Sequence, residues 1–194
     1  IPLENIDEKF LINIFYLLFF INLFLIFIFF YQFNNLHFLF IALLINLMLF
    51  SFIYLIQGSK DFVFLLIILI SANDIMAYVG GKLFGKTKIF PYISPNKTLE
   101  GSIIGLISSI LLSASYAFFN ELDLFQYSLL GLLVGFFGSL GDLYISFFKR
   151  KIKIKDTGKL IPGHGGILDR FDSYLFCLPI CLIAYEFSLT FKIG

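Results

Sequence analysis

The chain has 194 residues and a net charge of +1, with 59% hydrophobic and only 14% charged residues. Soluble domains carry roughly 25% charged residues, so a soluble globular protein is excluded and the lipid bilayer must be the solvent for much of this surface. The small net charge creates no global field, so nothing in the composition argues for a nucleic-acid partner.

Six apolar segments are long enough to cross a bilayer, which takes about 20 residues. They cover residues 10–33, 36–57, 61–79, 99–119, 124–148 and 172–191, and Gly80-Gly81 is predicted to end the third. The sequence therefore predicts an all-α, polytopic integral membrane protein with about six transmembrane helices. We assign residues 1–60 to N-terminal transmembrane helices of unassigned role and residues 61–194 to a catalytic transmembrane domain.

Basic residues are concentrated in two loops. The loop after the third segment holds Lys82, Lys86, Lys88 and Lys97, and the loop after the fifth holds Lys149, Arg150, Lys151, Lys153, Lys155, Lys159 and Arg170. Two crossings separate the loops, so both lie on one side of the membrane, and the turn between them carries two acids and no cation. Because cytoplasmic loops are enriched in Lys and Arg, we expect a protein of the cytoplasmic membrane whose site faces the cytoplasm.

Small residues recur along the fourth and fifth segments. Gly101, Gly105, Ser109 and Ser113 repeat every fourth residue, and Gly131 and Gly135 form a GxxxG pattern followed by Gly138 and Gly141. Small side chains let helix backbones approach closely in lipid. The pattern predicts that these two segments pack against each other.

One face of the fifth segment gathers polar side chains near its basic end. Positions i, i+4, i+7 and i+8, which share a side of a helix, are Asp142, Ser146, Lys149 and Arg150. Asp142 lies about 10 Å inside the first cation, at a depth where an aspartate costs about 2.5–3.5 kcal/mol to insert. The structural alternative is an ion pair with a neighbouring helix. We favour a site residue, because acids inside membranes usually mark functional sites.

Two further residues are candidates for the same site. Asp74 lies inside the third segment beside Asn73, at a depth similar to that of Asp142. Two interpretations are equally supported: the two carboxylates face one polar cavity, or Asn73 and Asp74 make a polar contact between helices. Lys97 stands just before the fourth segment, where a lone lysine ordinarily anchors a helix at the membrane surface. Together with the other residues, it is a candidate phosphate ligand.

Residues 162–172, PGHGGILDRFD, combine a glycine-rich turn with two acids. Glycines allow a close backbone approach and a nest of N–H groups for an anion, although a simple tight turn would have the same string. Asp169 is predicted to join Asp142 as a metal ligand, because Mg²⁺ takes one or two carboxylates plus phosphate and water oxygens. Asp172 suits a helix cap and a site residue equally. His164 is a candidate phosphate donor or acid/base.

The residues from Ser146 to Asp172, SFFKRKIKIKDTGKLIPGHGGILDRFD, resemble without a gap the signature of the phosphatidate cytidylyltransferases, also called CDP-diacylglycerol synthases. Two further blocks, NDIMAYVGGKLFG at residues 73–85 and SPNKTLEG at residues 94–101, resemble that family in the same order. The chain is short for the family, and part of the N-terminal helical region is expected to be missing.

The resemblance implies an integral membrane enzyme that makes CDP-diacylglycerol and pyrophosphate from CTP and phosphatidic acid. It also implies Mg²⁺ as cofactor, with a second cation left open, and a homodimer. By motif position, the catalytic candidates are Asp142, Asp169, Lys149, Arg150, His164 and Arg170. The candidate ligands of the nucleotide or the lipid phosphate are Lys97, Ser146, Lys155, Asp156, Gly165, Gly166 and Asp74. The candidate metal ligands are Asp142, Asp169 and Asp172.

Two other functions remain open at this point. A CTP-dependent polyprenol or phytol kinase would share the membrane setting and transfer the γ-phosphoryl group. An ion-coupled transporter could line its path with Asp74 and Asp142, although the sequence shows no inverted repeat and its polar residues crowd one side of the membrane.

Overall fold

The computed structural model describes Phe20, residues 36–154 and residues 171–191. The helices are α1 Leu36–Gly58, α2 Lys60–Phe84, α3 Leu99–Phe119, α4 Leu124–Lys151 and α5 Tyr174–Phe191. These residues form no strand, only an isolated bridge between Lys88 and Thr98, so the predicted all-α class is confirmed. The predicted first segment, residues 10–33, lies outside the described residues except for Phe20.

Within the described part, four helices are long and apolar enough to cross a membrane, namely α1, α2, α3 and α4. The last predicted segment, residues 172–191, appears as α5, Tyr174–Phe191. The protein is therefore a polytopic helical membrane protein.

Contacts divide the chain into two units, Ile1–Phe50 and Ser51–Gly194. In the first unit, the described part is Phe20 and the N-terminal portion of α1. There Asn46 Nδ2 donates to the Ala42 carbonyl oxygen at 2.8 Å, which satisfies an amide in an otherwise apolar helix. In the second unit, α2 packs on α3 and α4, α3 packs on α4, and α4 packs on α5.

The third predicted segment is longer than the sequence indicated. Gly80-Gly81 was predicted to end it, and this was wrong, because α2 continues to Phe84. The two glycines are points of close contact instead. A Cβ at Gly80 would lie 2.7 Å from the Ile104 side chain, and one at Gly81 would lie 2.9 Å from Thr98 Oγ1. Tight packing on α3 offsets the roughly 1 kcal/mol by which a helical glycine is worse than alanine.

The small residues of α3 serve two neighbouring helices. Towards α4, Ser109 Oγ donates to the Gly131 carbonyl oxygen at 2.9 Å, and Ser113 Oγ donates to the Tyr127 carbonyl oxygen at 2.5 Å. The predicted α3–α4 contact is thus confirmed. Gly101 and Gly105, by contrast, face α2, where a Cβ would meet Ala77 and Asn73 respectively. The small residues at every fourth position therefore allow α3 to pack closely against both α2 and α4.

Two contacts set the position of the segment that enters α5. A Cβ at Gly141 would clash with the Asp172 carbonyl oxygen. Because glycine has no side chain, the backbone before α5 can pack directly against α4. The Tyr144 and Phe176 rings pack edge to face with centroids 5.6 Å apart. Asp172 is consequently held beside the polar face of α4.

Candidate active site

One face of α4 provides the base of the site. Ser139, Asp142, Ser146 and Lys149 follow one another at spacings of three and four residues, which aligns their side chains. Ser146 Oγ donates to Asp142 Oδ1 at 3.3 Å. Lys149 is buried although it is charged, and its positive charge acts on Asp172. The predicted one-sided arrangement therefore holds for Asp142, Ser146 and Lys149.

Lys97 reaches this face from the loop between α2 and α3. Its Nζ lies 2.5 Å from Asp142 Oδ2 and also donates to the Ser139 carbonyl oxygen at 3.4 Å. The ion pair that the sequence left as the structural alternative for Asp142 thus exists, and its cation is Lys97. The pair remains accessible, because the two side chains are 23% and 31% exposed. A phosphate could therefore reach the ammonium group without unfolding of the site.

Asp172 brings a second carboxyl group to Asp142. Its side chain is buried and lies within hydrogen-bonding reach of the Asp142 carboxyl group. Burial, followed by the negative charge of Asp142, raises the pKa of Asp172 to about 7. Its Oδ1 also accepts the Ser173 N–H at 2.8 Å. Asp172 therefore binds a backbone N–H just before α5 and also faces the site.

Asp74 completes the arrangement from α2. Ser173 Oγ donates to Asp74 Oδ2 at 3.0 Å, and Asn73 Nδ2 lies 3.4 Å from Asp74 Oδ1. The charges of Asp142 and Lys97 both act on Asp74. The carboxylates of Asp74 and Asp142 therefore share one region, and Asp74 also makes the polar contact with a neighbouring element that the sequence left as the equal alternative. We call this region the polar cluster, and its members are Asn73, Asp74, Lys97, Ser139, Asp142, Ser146, Lys149, Asp172 and Ser173.

Arg150 does not reach the polar cluster. Its Nε donates to the Ile93 carbonyl oxygen at 3.2 Å and its guanidinium also donates to the Ile154 carbonyl oxygen at 3.2 Å. The contact with Ile93 joins the end of α4 to the loop between α2 and α3, which places these two basic regions at the same end of the second unit. The other predicted site residues lie outside the described residues, namely Lys155, Asp156, His164, Gly165, Gly166, Asp169 and Arg170.

Sequence reasoning passed over several polar residues that the structure brings to the site. Ser139 stands three residues before Asp142, so helical spacing alone could have found it. Ser173 directly follows Asp172, but nothing in the pattern indicated that its hydroxyl would turn to Asp74. Glu100 was also passed over. Its carboxylate accepts backbone N–H groups from the loop that carries Lys97, a tertiary contact without a sequence signature.

The polar cluster holds more negative than positive groups. Asp74, Asp142 and Asp172 share Lys97 and Lys149 as cations. No three His, Cys, Asp or Glu side chains in residues 36–154 and 171–191 come together closely enough to enclose a metal ion. The facing carboxyl groups of Asp142 and Asp172 nevertheless fit Mg²⁺, which takes one or two carboxylates and completes its shell with substrate and water oxygens.

An apolar helical bundle with lysines and carboxylates gathered at one end defines a membrane protein with a polar site at the lipid boundary. A family model described as "Cytidylyltransferase family" matches residues 3–188. The chain belongs to the cytidylyltransferase family.

Individual relatives agree with this family. The chain is 49% identical over 110 residues to a phosphatidate cytidylyltransferase of Staphylococcus aureus (strain COL), a match that covers 56% of this chain and 42% of the relative. It is 41% identical over 135 residues to one of Staphylococcus saprophyticus subsp. saprophyticus, covering 67% and 52%. It is 44% identical over 126 residues to one of Staphylococcus epidermidis, covering 64% and 48%. The chain thus spans about half the length of the curated relatives it matches.

Proposed function

We propose that this chain carries the active site of a phosphatidate cytidylyltransferase, which transfers CMP from CTP to phosphatidic acid to give CDP-diacylglycerol and pyrophosphate. The observation that carries the proposal is the polar cluster, in which Lys97 and Asp142 meet Asp172 at one end of an apolar bundle. Membership of the cytidylyltransferase family and the name shared by the relatives supply the reaction class.

The reaction needs little proton transfer. A phosphate oxygen of phosphatidic acid attacks the α-phosphorus of CTP, the bond from that phosphorus to the bridging oxygen of the β-phosphate breaks, and pyrophosphate leaves. The nucleophile is already an anion, so no base has to create it. The barrier therefore falls mainly through positioning of the two anions and neutralisation of their charge.

Lysines of the polar cluster supply part of that neutralisation. The Lys97 side chain is 23% exposed, so a phosphate oxygen can reach its ammonium group and replace Asp142 as its partner. Lys149 is buried beside Asp172, so its charge is desolvated and acts strongly on an anion that enters the cluster. Ser146 and Ser139 hold Asp142 and Lys97 in place, by a hydroxyl donor and a carbonyl acceptor respectively.

Cytidylyltransferases generally depend on a divalent cation, and we propose Mg²⁺ here. Asp142 and Asp172 would hold it, together with Asp169 from the neighbouring segment, and a second cation remains open. When bound, Mg²⁺ neutralises charge on the nucleotide phosphates and the leaving pyrophosphate. The facing carboxyl groups of Asp142 and Asp172 support this assignment, because their repulsion is relieved by a cation.

The site is proposed to face the cytoplasm of the cytoplasmic membrane, because both basic regions meet at the same end of the second unit and Lys and Arg favour that side. Phosphatidic acid would keep its acyl chains in the bilayer while its phosphate enters the polar cluster. We also propose that the protein forms a homodimer, because the family resemblance implies one.

Labelled CTP tests the proposed function. Purified protein in detergent micelles is incubated with phosphatidic acid, Mg²⁺ and CTP labelled in either the α- or the γ-phosphate. Transfer of the α-label to lipid is the expected result. Transfer of the γ-label would identify a lipid kinase instead, and ion-coupled solute flux in proteoliposomes without any labelled lipid would identify a transporter.

A further inference from the structure

The loop between α2 and α3, residues 85–98, is held at its base by Glu100. The carboxylate of Glu100 accepts two consecutive backbone N–H groups. Its Oε2 accepts the Lys86 N–H at 3.1 Å and the Thr87 N–H at 3.2 Å, and its Oε1 accepts the Thr87 N–H at 3.1 Å. A carboxylate that accepts backbone N–H groups makes charge-assisted bonds, which are stronger than neutral ones. Glu100 therefore fixes the point at which the loop leaves α2.

Backbone pairing carries this constraint across the loop. The Leu99 N–H donates to the Thr87 carbonyl oxygen at 2.9 Å, and the Ile89 N–H donates to the Lys97 carbonyl oxygen at 3.3 Å. Lys97 thus stands in the short paired section that Glu100 holds at its start. From there its side chain crosses to Asp142 on α4.

We propose that Glu100 is a positioning residue of the site, which holds the paired base of loop 85–98 so that the Lys97 ammonium group reaches Asp142 and the phosphate of the nucleotide. The inference rests on the proposed function for its consequence on catalysis but not for its geometry. A lysine side chain loses much conformational entropy when it is fixed. Because Glu100 already fixes the backbone at Lys97, less conformational entropy is lost when the Lys97 ammonium group is placed in the site.

Glu100 has a simpler possible role, since it lies in the first turn of α3, where a negative charge favours the helix. The two roles differ in what they do to Lys97. If Glu100 only stabilises the start of α3, its removal lowers the stability of the protein and leaves the exposure and reactivity of the Lys97 amine unchanged. A positioning residue changes the exposure and reactivity of that amine.

The first experiment measures this reactivity without any substrate. Protein in detergent is treated with an amine-acylating ester, and the acylation rates of Lys97 and Lys88 are compared by mass spectrometry. Lys88 lies on the same loop and is exposed, so it serves as the internal reference. In Glu100→Ala we expect Lys97 to react about tenfold faster relative to Lys88, and in the control Glu121→Ala we expect no change. An unchanged Lys97 rate in Glu100→Ala would overturn the proposal.

The second experiment asks whether Glu100 acts through Lys97 during turnover. Glu100→Ala is expected to lower kcat/KM for CTP about tenfold, and to cause no further loss in a Lys97→Met background. Additive losses in the double variant would reject the positioning role. Glu100→Gln keeps one acceptor oxygen and should restore part of both readouts, and it replaces Glu100→Ala if that variant does not fold. If the wild type transfers no cytidylyl group, the proposed function fails while the acylation rates still decide the role of Glu100.

Discussion

Lys97 and Asp142 form an ion pair whose Nζ–Oδ2 distance is 2.5 Å, and its two partners come from different elements, the loop before α3 and the interior of α4. An isolated carboxylate at the depth of Asp142 would be costly, so the lysine stabilises the carboxylate of Asp142. The same lysine is also an accessible cation at the place proposed for a nucleotide phosphate. The pair thus links the stability of the site to its capacity for an anion.

Asp142→Asn is predicted to abolish most cytidylyl transfer. The substitution removes a proposed metal ligand and the partner of Lys97, and loss of one group that stabilises transition-state charge costs about 10²–10³-fold in kcat. Incorporation of α-labelled CTP into lipid measures the effect. Asp123→Asn is the matched control, because Asp123 only caps α4 through the Gln126 N–H and asparagine caps equally well. Near-normal turnover in Asp142→Asn would reject its assignment.

The raised pKa of Asp172 predicts a pH dependence of stability in the absence of divalent cations. Its folded-state pKa of about 7 lies above the ordinary value of 3.8, so the folded protein binds this proton more tightly than the unfolded chain does. The associated stability is fully present below pH 4 and is lost as the pH rises towards 7. Thermal unfolding in EDTA should show a Tm that falls over this range. Asp172→Asn should flatten the fall, and an equal slope in both proteins would contradict the prediction.

Mg²⁺ is predicted to raise the Tm of the protein even without substrate. A ligand that binds only the folded state stabilises it by mass action, and proton release from Asp172 should make the gain larger at pH 8 than at pH 6. Asp142→Asn and Asp172→Asn should each reduce the gain strongly. The same gain with all three proteins would show that Mg²⁺ binds elsewhere.

Gly131→Ala is predicted to destabilise the bundle by about 1–3 kcal/mol, the usual cost of overpacking. A Cβ at Gly131 would lie 2.5 Å from the Ser109 carbonyl oxygen and 2.7 Å from the Ile110 Cα, and backbone atoms cannot move aside cheaply. Gly138→Ala is the control on the same helix, because its nearest atoms would be 3.7 Å away. Thermal unfolding in one detergent compares the two, and equal Tm values would refute the close contact.

The sequence predicted those parts of the fold that depend on local pattern. The bounds of α3, residues 99–119, were predicted as the structure has them, because a mostly apolar run of spanning length covers these residues. The end of α2 was wrong because glycine propensity is a local rule, whereas the approach of α3 to Gly80 and Gly81 is tertiary. Local rules decide a helix end only where no neighbour competes.

The candidate site shows the same division. Asp142, Ser146 and Lys149 could be grouped from helical spacing, and the depth of Asp74 suggested its shared location. The reach of Lys97 across to α4 and the turn of Ser173 towards Asp74 depend on how separate elements pack. The predicted roles of Asp169 and His164 fall in residues 155–170, outside the described residues, and stay predictions.

The paired base of loop 85–98 separates the lysine from the rest of its loop. Thr87 pairs with Leu99 and Ile89 with Lys97, so residues 90–96 lie beyond the last pair. Insertions or deletions there should leave the ammonium group where it is, whereas a single-residue change between Thr87 and Ile89 would shift the pairing and withdraw it. We therefore expect length variation among homologous loops to concentrate at the tip.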